Sequence, residues 1–207
     1  ISSLRFLDPA CGCGNFLIVT YRELRLLELE VLKALNGTQR VFNIADLVMC
    51  NVDQFAGIEY EEFPAQIAKV AMWLIDHQMN MLCSAEFGEY FVRLPLRKSA
   101  NIIQGDALEL DWNEVAPKEQ LSYIIGNPPF VGARQMSKEQ SKQVAQVFNN
   151  IKGVGNLDYV TAWYAKASQY IQGTHTKVAF VSTNSIVQGE QVGILWRVLL
   201  EKDNVHI

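Results

Sequence analysis

Apolar positions along the chain follow two alternating periods. A short apolar run, Leu4 to Leu7, predicts a first strand, and Gly12 and Gly14 end it. From about Phe16 to Leu35 the apolar residues fall at helical spacing, through Leu17, Tyr21, Leu24, Leu27/Glu28, Val31 and Leu35. Asn36-Gly37 then stops the helix. Residues 38–53 carry no clear period and read as a loop with a short helix. Phe55 to Ile58 predicts a second strand. Pro64 suits the first turn of a second helix reaching about Leu82, with Ile67, Val70, Ala71, Leu74, Ile75 and Leu82 apolar. Residues 84–98 read as a loop, Asn101 to Gln104 as a third strand and Leu121 to Ile125 as a fourth. Ser137 with Gln140 three residues on forms a capping box for a helix to about Phe148. Gly153 and Gly155 mark a loop, Leu157 to Ile171 a helix ended by Gly173, Lys177 to Ser182 a fifth strand and Gln191 to Glu201 a last helix.

Strand–helix alternation repeated in this way predicts an α/β fold, a mostly parallel sheet with helices on both faces. In such sheets ligands bind at the carboxyl ends of the strands. The length, 207 residues, fits one domain or at most two small ones. Hydrophobic residues make up 49% and charged residues 19%, a globular balance that excludes disorder. No apolar run approaches the ~20 residues of a membrane span. Cys11, Cys13, Cys50 and Cys83 do not make a disulfide framework for a chain of this size, which points to a reducing, cytoplasmic setting. The chain opens at Ile1 on a strand pattern, so it is expected to be a piece of something longer.

The net charge is −4, and it is uneven. Residues 131–153 carry Arg134, Lys138, Lys142 and Lys152 against Glu139, whereas the preceding residues are acidic. This basic stretch is either a solvated helix face or a contact to a phosphate backbone.

Four strand ends carry candidate chemistry. The first is Asp8-Pro9-Ala10-Cys11-Gly12-Cys13-Gly14-Asn15-Phe16-Leu17. Its glycines allow a tight turn and close approach of a ligand, and the carboxylate at the strand tip can hold an ammonium group. A dinucleotide fingerprint needs a third glycine where Leu17 stands, so a pyrophosphate cradle is disfavoured. Cys11 and Cys13 lack partners in sequence for a four-ligand metal site, because the other cysteines, His77, His175 and His206 are scattered; no metal is expected. The second strand ends at Glu59, in the position of a ribose-hydroxyl acceptor, although it lies further from the first motif than the usual ~20 residues. Glu61 and Glu62 adjoin it, so a plain surface glutamate is the other reading. The third ends at Gly105-Asp106-Ala107, where Asp106 can accept from an exocyclic adenine amine or merely close a turn.

The fourth end, Asn127-Pro128-Pro129-Phe130, is the most specific. Two prolines fix the backbone and remove two N–H donors. The Asn127 side chain and the Pro128 carbonyl are then held as acceptors beside an aromatic ring, an arrangement suited to a planar substrate carrying an –NH₂ group.

Together these motifs resemble the S-adenosylmethionine-dependent N6-adenine DNA methyltransferases of bacterial restriction–modification systems. The opening motif is similar to type I and type IIG enzymes, and Gln54 to Asn80 and Ile125 to Ala133 are similar to type IIG enzymes. The likeness runs from about Leu4 to Val205. It implies a Rossmann-like class I methyltransferase fold, here incomplete: cofactor motifs over 4–110, the target-amine motif and its loop over 121–153, and a C-terminal strand and helix part over 157–207. Target-recognition and nuclease domains are expected to be absent.

By resemblance, Asp8 and the backbone of Ala10, Cys11, Gly12 and Gly14 hold the methionine part of S-adenosylmethionine. Glu59 binds the ribose hydroxyls and Tyr60 lies along the adenine. Asp106 reads the adenine amine, with Ala107 supplying a backbone contact. Asn127, Pro128, Pro129 and Phe130 hold the target base. Double-stranded DNA is the implied partner, with Arg134, Lys138 and Lys142 as candidate contacts, and the bacterial cytoplasm the implied location. Asp158 and Tyr159 fall near the cofactor in the family and receive no role. RNA guanine, protein-glutamine and N4-cytosine methyltransferases share an Asn-Pro-Pro-aromatic or related tip and remain rivals. A non-catalytic binding remnant is a further one.

Overall fold

The computed structural model describes residues 1–36, 47–88 and 99–206. The ambiguous stretch 38–53 and the expected loop 84–98 therefore fall largely outside the described residues. Among the described residues five strands, β1 (Phe6–Asp8), β2 (Phe55–Glu59), β3 (Asn101–Gln104), β4 (Tyr123–Gly126) and β5 (Lys177–Phe180), form one sheet in the order β3-β2-β1-β4-β5. Every pairing is parallel. The chain winds one way from β1 to β3 and the other way from β4, so the switch point lies between the tips of β1 and β4. A crevice opens there in doubly wound sheets.

Among the described residues the α-helices are α1 (Asn15–Asn36), α2 (Glu62–Phe87), the short α3 (Trp112–Val115), α4 (Lys138–Val147), α5 (Thr161–Tyr170) and α6 (Val192–Trp196), which continues as a π-helical turn over Arg197–Lys202. Successive residues of β1 face opposite sides of the sheet. Phe6 joins Leu17, Tyr21, Phe55, Met72 and Ile75 under α1 and α2. Leu7 joins Ile58, Ile124, Trp112, Leu157, Trp163 and Leu195 on the other face. The register sets Phe6 opposite both Phe55 and Tyr123, and its ring stacks on theirs at 4.9 and 5.3 Å.

The expected elements recur in order, and the Ser137–Gln140 capping box is formed; the short α3 is not among those expected, and α2 continues through Phe87, into the expected loop 84–98, before Gly88 ends it in a left-handed conformation. The faces of two helices differ from the apolar pattern. On α1 the buried positions include Leu17, Tyr21, Arg25, Leu29 and Leu32, whereas Leu27, Val31 and Leu35 are exposed. The stripe turns because Arg25 is fully buried. Its Nη1 donates to Tyr21 Oη at 2.6 Å and to Asp76 Oδ1 at 3.3 Å, and its Nη2 donates to Asn80 Oδ1 at 3.0 Å. Glu28 Oε2 lies 3.4 Å from Arg25 Nε, and Glu28 Oε1 accepts the N–H groups of Met49 and Cys50. One buried ionic cluster thus ties α1, α2 and the segment leading to β2. On α2 the buried face is Ala65, Ala68, Met72, Ile75, Asp76, Met79, Asn80 and Cys83, leaving Val70, Leu74 and Leu82 exposed. The helix expected over Leu157 to Ile171 starts only at Thr161: residues 157–160 form a bend and turn in which the Tyr159 N–H donates to the Val131 carbonyl.

Candidate active site

Asp8 ends β1 and is buried. Its Oδ1 accepts the N–H of Ala10 at 3.0 Å, and its Oδ2 has no hydrogen-bond partner among the described residues. Burial pushes its carboxyl up to about 7; the Ala10 N–H opposes this and the nearby charge of Glu59 adds to it. Gly126 at the end of β4 makes the room for that carboxylate. Gly12 adopts a left-handed conformation (φ 54°), and its N–H donates to Glu59 Oε2 at 2.8 Å. Cys11 turns its thiol out of the crevice and into a notch at Gly57, where a Cβ would lie 2.9 Å from its Sγ. Burial raises the pKa of that thiol, so it stays neutral. Gly14 packs on Ala68 of α2 and serves the helix–helix approach.

Glu59 ends β2. Its Oε1 accepts the N–H of Glu61 at 3.0 Å, so backbone donors on both sides fix the carboxylate and one lone pair remains on each oxygen. Tyr60 stands exposed beside it. Asp106 follows β3. Its Oδ1 accepts the N–H of Leu108 at 2.8 Å and its Oδ2 accepts Nε2 of Gln143 at 2.7 Å. The loop behind it is anchored by Lys166, whose Nζ donates to the carbonyls of Leu108 and Leu110 at 2.9 and 2.7 Å. Burial lowers the Lys166 pKa to about 8, against the attraction of Asp106.

Beyond β4, Asn127 and Pro129 are exposed, Pro128 is buried and Phe130 is 45% exposed. The loop that follows is pinned from the turn just before α5. The N–H of Tyr159 donates to the Val131 carbonyl at 2.9 Å, and the N–H of Ala133 donates to Asp158 Oδ1 at 2.9 Å. Asp158 Oδ2 accepts from Ser185 Oγ and Gln191 Nε2 at 2.7 and 2.8 Å.

These strand ends surround one cavity of about 780 Å³. Of the residues expected at the site, Ala10, Glu59, Tyr60, Asp106, Ala107, Asn127 and Pro129 line it. Asp8 lies buried at the strand tip, Pro128 is buried in the turn, and Cys11, Gly12, Gly14 and Phe130 are not part of the wall. The wall also contains Glu139, Gln140 and Gln143 of α4, and Tyr159 and Trp163. The Trp163 indole N–H donates to the Pro9 carbonyl at 3.1 Å, so α5 holds the loop after β1. Sequence reasoning gave none of these residues a role at the site, although the family resemblance places Tyr159 near the cofactor. The signal for Gln143 was a glutamine on the inward stripe of α4, beside Val144. Arg134, Lys138 and Lys142 are exposed on the loop and helix beyond the target motif.

Residues 1–207 match the family described as the DNA-methyltransferase domain of MmeI. The chain is 40% identical over 205 residues to DNA methyltransferase A of Bacillus subtilis (strain 168), covering 97% of this chain and 23% of that protein. The fold superposes with a TM-score of 0.93 on the type IIL restriction–modification enzyme MmeI in complex with DNA, at 56% identity over 97% of this chain and 27% of that one. A TM-score of 0.59 at 16% identity to the ATP-dependent type ISP restriction–modification enzyme LlaBIII, covering 90% of this chain and 13% of that one, shows the shared fold alone. The chain thus spans about a quarter of the length of its two nearer relatives. With its strand order, its four strand-end motifs and these matches, the chain belongs to the family of MmeI DNA-methyltransferase domains.

Proposed function

We propose that this domain transfers a methyl group from S-adenosylmethionine to the N6 amine of an adenine flipped out of duplex DNA, within a bacterial restriction–modification enzyme. The observation that carries the reading is the pairing of two features at the switch point. The buried Oδ2 of Asp8, without a partner among the described residues, stands at one strand tip, and the acceptors of Asn127-Pro128 stand at the neighbouring tip.

The residues fit this methyl donor. An orphan carboxylate oxygen in a dry strand tip suits an ammonium group, since a buried charge needs a partner. Glu59, fixed by two backbone donors, offers lone pairs to vicinal hydroxyls. Asp106 offers an acceptor to an exocyclic amine. When bound, the donor supplies a methyl group on a positively charged sulfur, an electrophile that needs no activation by the protein.

The protein's task is then to position the amine. Duplex DNA hides adenine N6, so the base must leave the stack. Phe130, half exposed at the tip, offers a face to the flipped base, and such stacking offsets ~1–3 kcal/mol of the cost. The Asn127 side-chain oxygen and the Pro128 carbonyl accept the two amine hydrogens. That pulls the nitrogen toward a tetrahedral shape and aims its lone pair along one line. The surplus proton leaves the nitrogen for solvent after transfer, so no tuned general base is needed. Arg134, Lys138 and Lys142 supply phosphate contacts along the DNA. A bacterial DNA substrate places the enzyme in the cytoplasm.

The test offers duplex DNA, transfer RNA, ribosomal RNA and a release-factor protein side by side with a radiolabelled methyl donor. Label in DNA alone is expected. Label in RNA or protein with DNA blank, or no label in any substrate, overturns the reading.

A further inference from the structure

The cavity wall contributed by α4 has no place in the mechanism above, yet it makes the shortest side-chain contact to Asp106. Gln143 is 8% exposed, and both ends of its amide are engaged. Nε2 donates to Asp106 Oδ2 at 2.7 Å, and Oε1 accepts from the Tyr159 hydroxyl at 2.7 Å. The direction of this chain is fixed by chemistry. A carboxylate only accepts, so the –NH₂ end of the amide must face Asp106, which leaves the carbonyl end for Tyr159. Burial, reinforced by the charge of Asp106, pushes the Tyr159 phenol up to about 12, so it remains a donor at neutral pH.

We propose that Gln143 is a positioning residue for adenine recognition: oriented by Tyr159, it clamps the Asp106 carboxylate so that the remaining lone pairs face the cofactor's exocyclic amine. The inference rests on the reading of Asp106 as the adenine acceptor. A carboxylate held only by the Leu108 N–H at Oδ1 keeps freedom about its second torsion. The Gln143 bond at Oδ2 removes that freedom and leaves two of about four acceptor positions open. Preorganisation of this kind cuts the ordering cost of binding. It also joins adenine recognition to the helix that follows the target motif, because Gln143 sits one turn beyond the Ser137–Gln140 cap.

The test titrates the folded chain with S-adenosylhomocysteine and with S-inosylhomocysteine, in which oxygen replaces the adenine amine. The wild type should prefer the amine-bearing ligand. Gln143→Leu should weaken S-adenosylhomocysteine by about tenfold, the scale of a lost hydrogen bond to a charged group, and leave the inosyl analogue unchanged. Discrimination thus narrows, a result that a loss of general packing does not give. Tyr159→Phe should narrow it in the same direction by a smaller factor, and circular dichroism checks that both variants fold. Equal weakening of both ligands overturns the proposal, as does unchanged discrimination in both variants. In the second case, binding abolished by Glu59→Ala would show that the cofactor site itself stands. A wild type that binds neither ligand, or does not discriminate, overturns the reading of Asp106 and this inference with it.

Discussion

Gly126 and Asp8 face each other across the switch point: a Cβ built on Gly126 would lie 2.5 Å from Oδ1 of Asp8. The glycine at the end of β4 is therefore part of the carboxylate's site. Gly126→Ala should force Asp8 off its hydrogen bond to Ala10 and lower affinity for S-adenosylhomocysteine at least tenfold, while overpacking costs about 1–3 kcal/mol of stability. Calorimetry and denaturant unfolding of the same variant separate the two effects. Unchanged affinity would show that Asp8 takes no part in binding.

Asp8 also makes affinity depend on pH. Its carboxyl is pushed up to about 7, chiefly by burial, so in the free domain it gains a proton as pH falls through neutrality. Holding an ammonium group requires the ionised form. Affinity for S-adenosylhomocysteine should be flat above pH 7 and fall about tenfold per unit below it. Stability follows the opposite sign. Because the folded pKa lies above the unfolded value of 3.8, the free domain loses stability as pH rises from about 4 to 7, by an amount on the order of a few kcal/mol. Asp8→Asn should be more stable than wild type at pH 8 and should bind weakly at every pH. A flat affinity profile in the wild type from pH 5 to 8 would contradict this account.

Asp158 holds three segments at once, through Ala133, Ser185 and Gln191. It touches the loop that follows the Asn127-Pro128-Pro129-Phe130 motif and lies outside the cavity wall. Asp158→Ala should therefore leave affinity for S-adenosylhomocysteine within about twofold and lower methyl transfer by about 10- to 100-fold, the scale of a small misplacement of reacting groups. Parallel binding and single-turnover measurements check this split. An equal loss in both would assign Asp158 to the fold as a whole.

The Arg25 cluster sets stability. Removing one partner of a buried ionic pair leaves the others uncompensated, so Arg25→Met should cost about 3–5 kcal/mol in urea unfolding at neutral pH. A cost below about 1 kcal/mol would mean that Asp76 and Glu28 find other partners or protons.

The strand ends were legible because each carries its chemistry in one short contiguous motif. Glu59, Asp106 and Asn127 all reach the cavity wall as expected. What the sequence concealed lies in pairings remote along the chain. Trp163 meets the Pro9 carbonyl, and Gln143 meets both Asp106 and Tyr159. Periodicity placed α1 and α2 but not their inward faces. A buried arginine satisfied by Tyr21, Asp76 and Asn80 reads as solvent-facing in any hydrophobic pattern, and it rotates the apparent stripe. Cys11 looked like backbone scaffolding for a ligand. Its side chain fills the notch that Gly57 leaves in β2, a fit visible only once the two strands are paired.

The most direct test of adenine-N6 transfer is mass spectrometry of nucleosides from duplex DNA incubated with S-adenosylmethionine and the protein, or with Asn127→Ala. The account predicts N6-methyladenine with the wild type, its loss by at least a hundredfold in the variant, and S-adenosylhomocysteine binding retained by both. N4-methylcytosine as the product, or N6-methyladenine formed undiminished by Asn127→Ala, would contradict it.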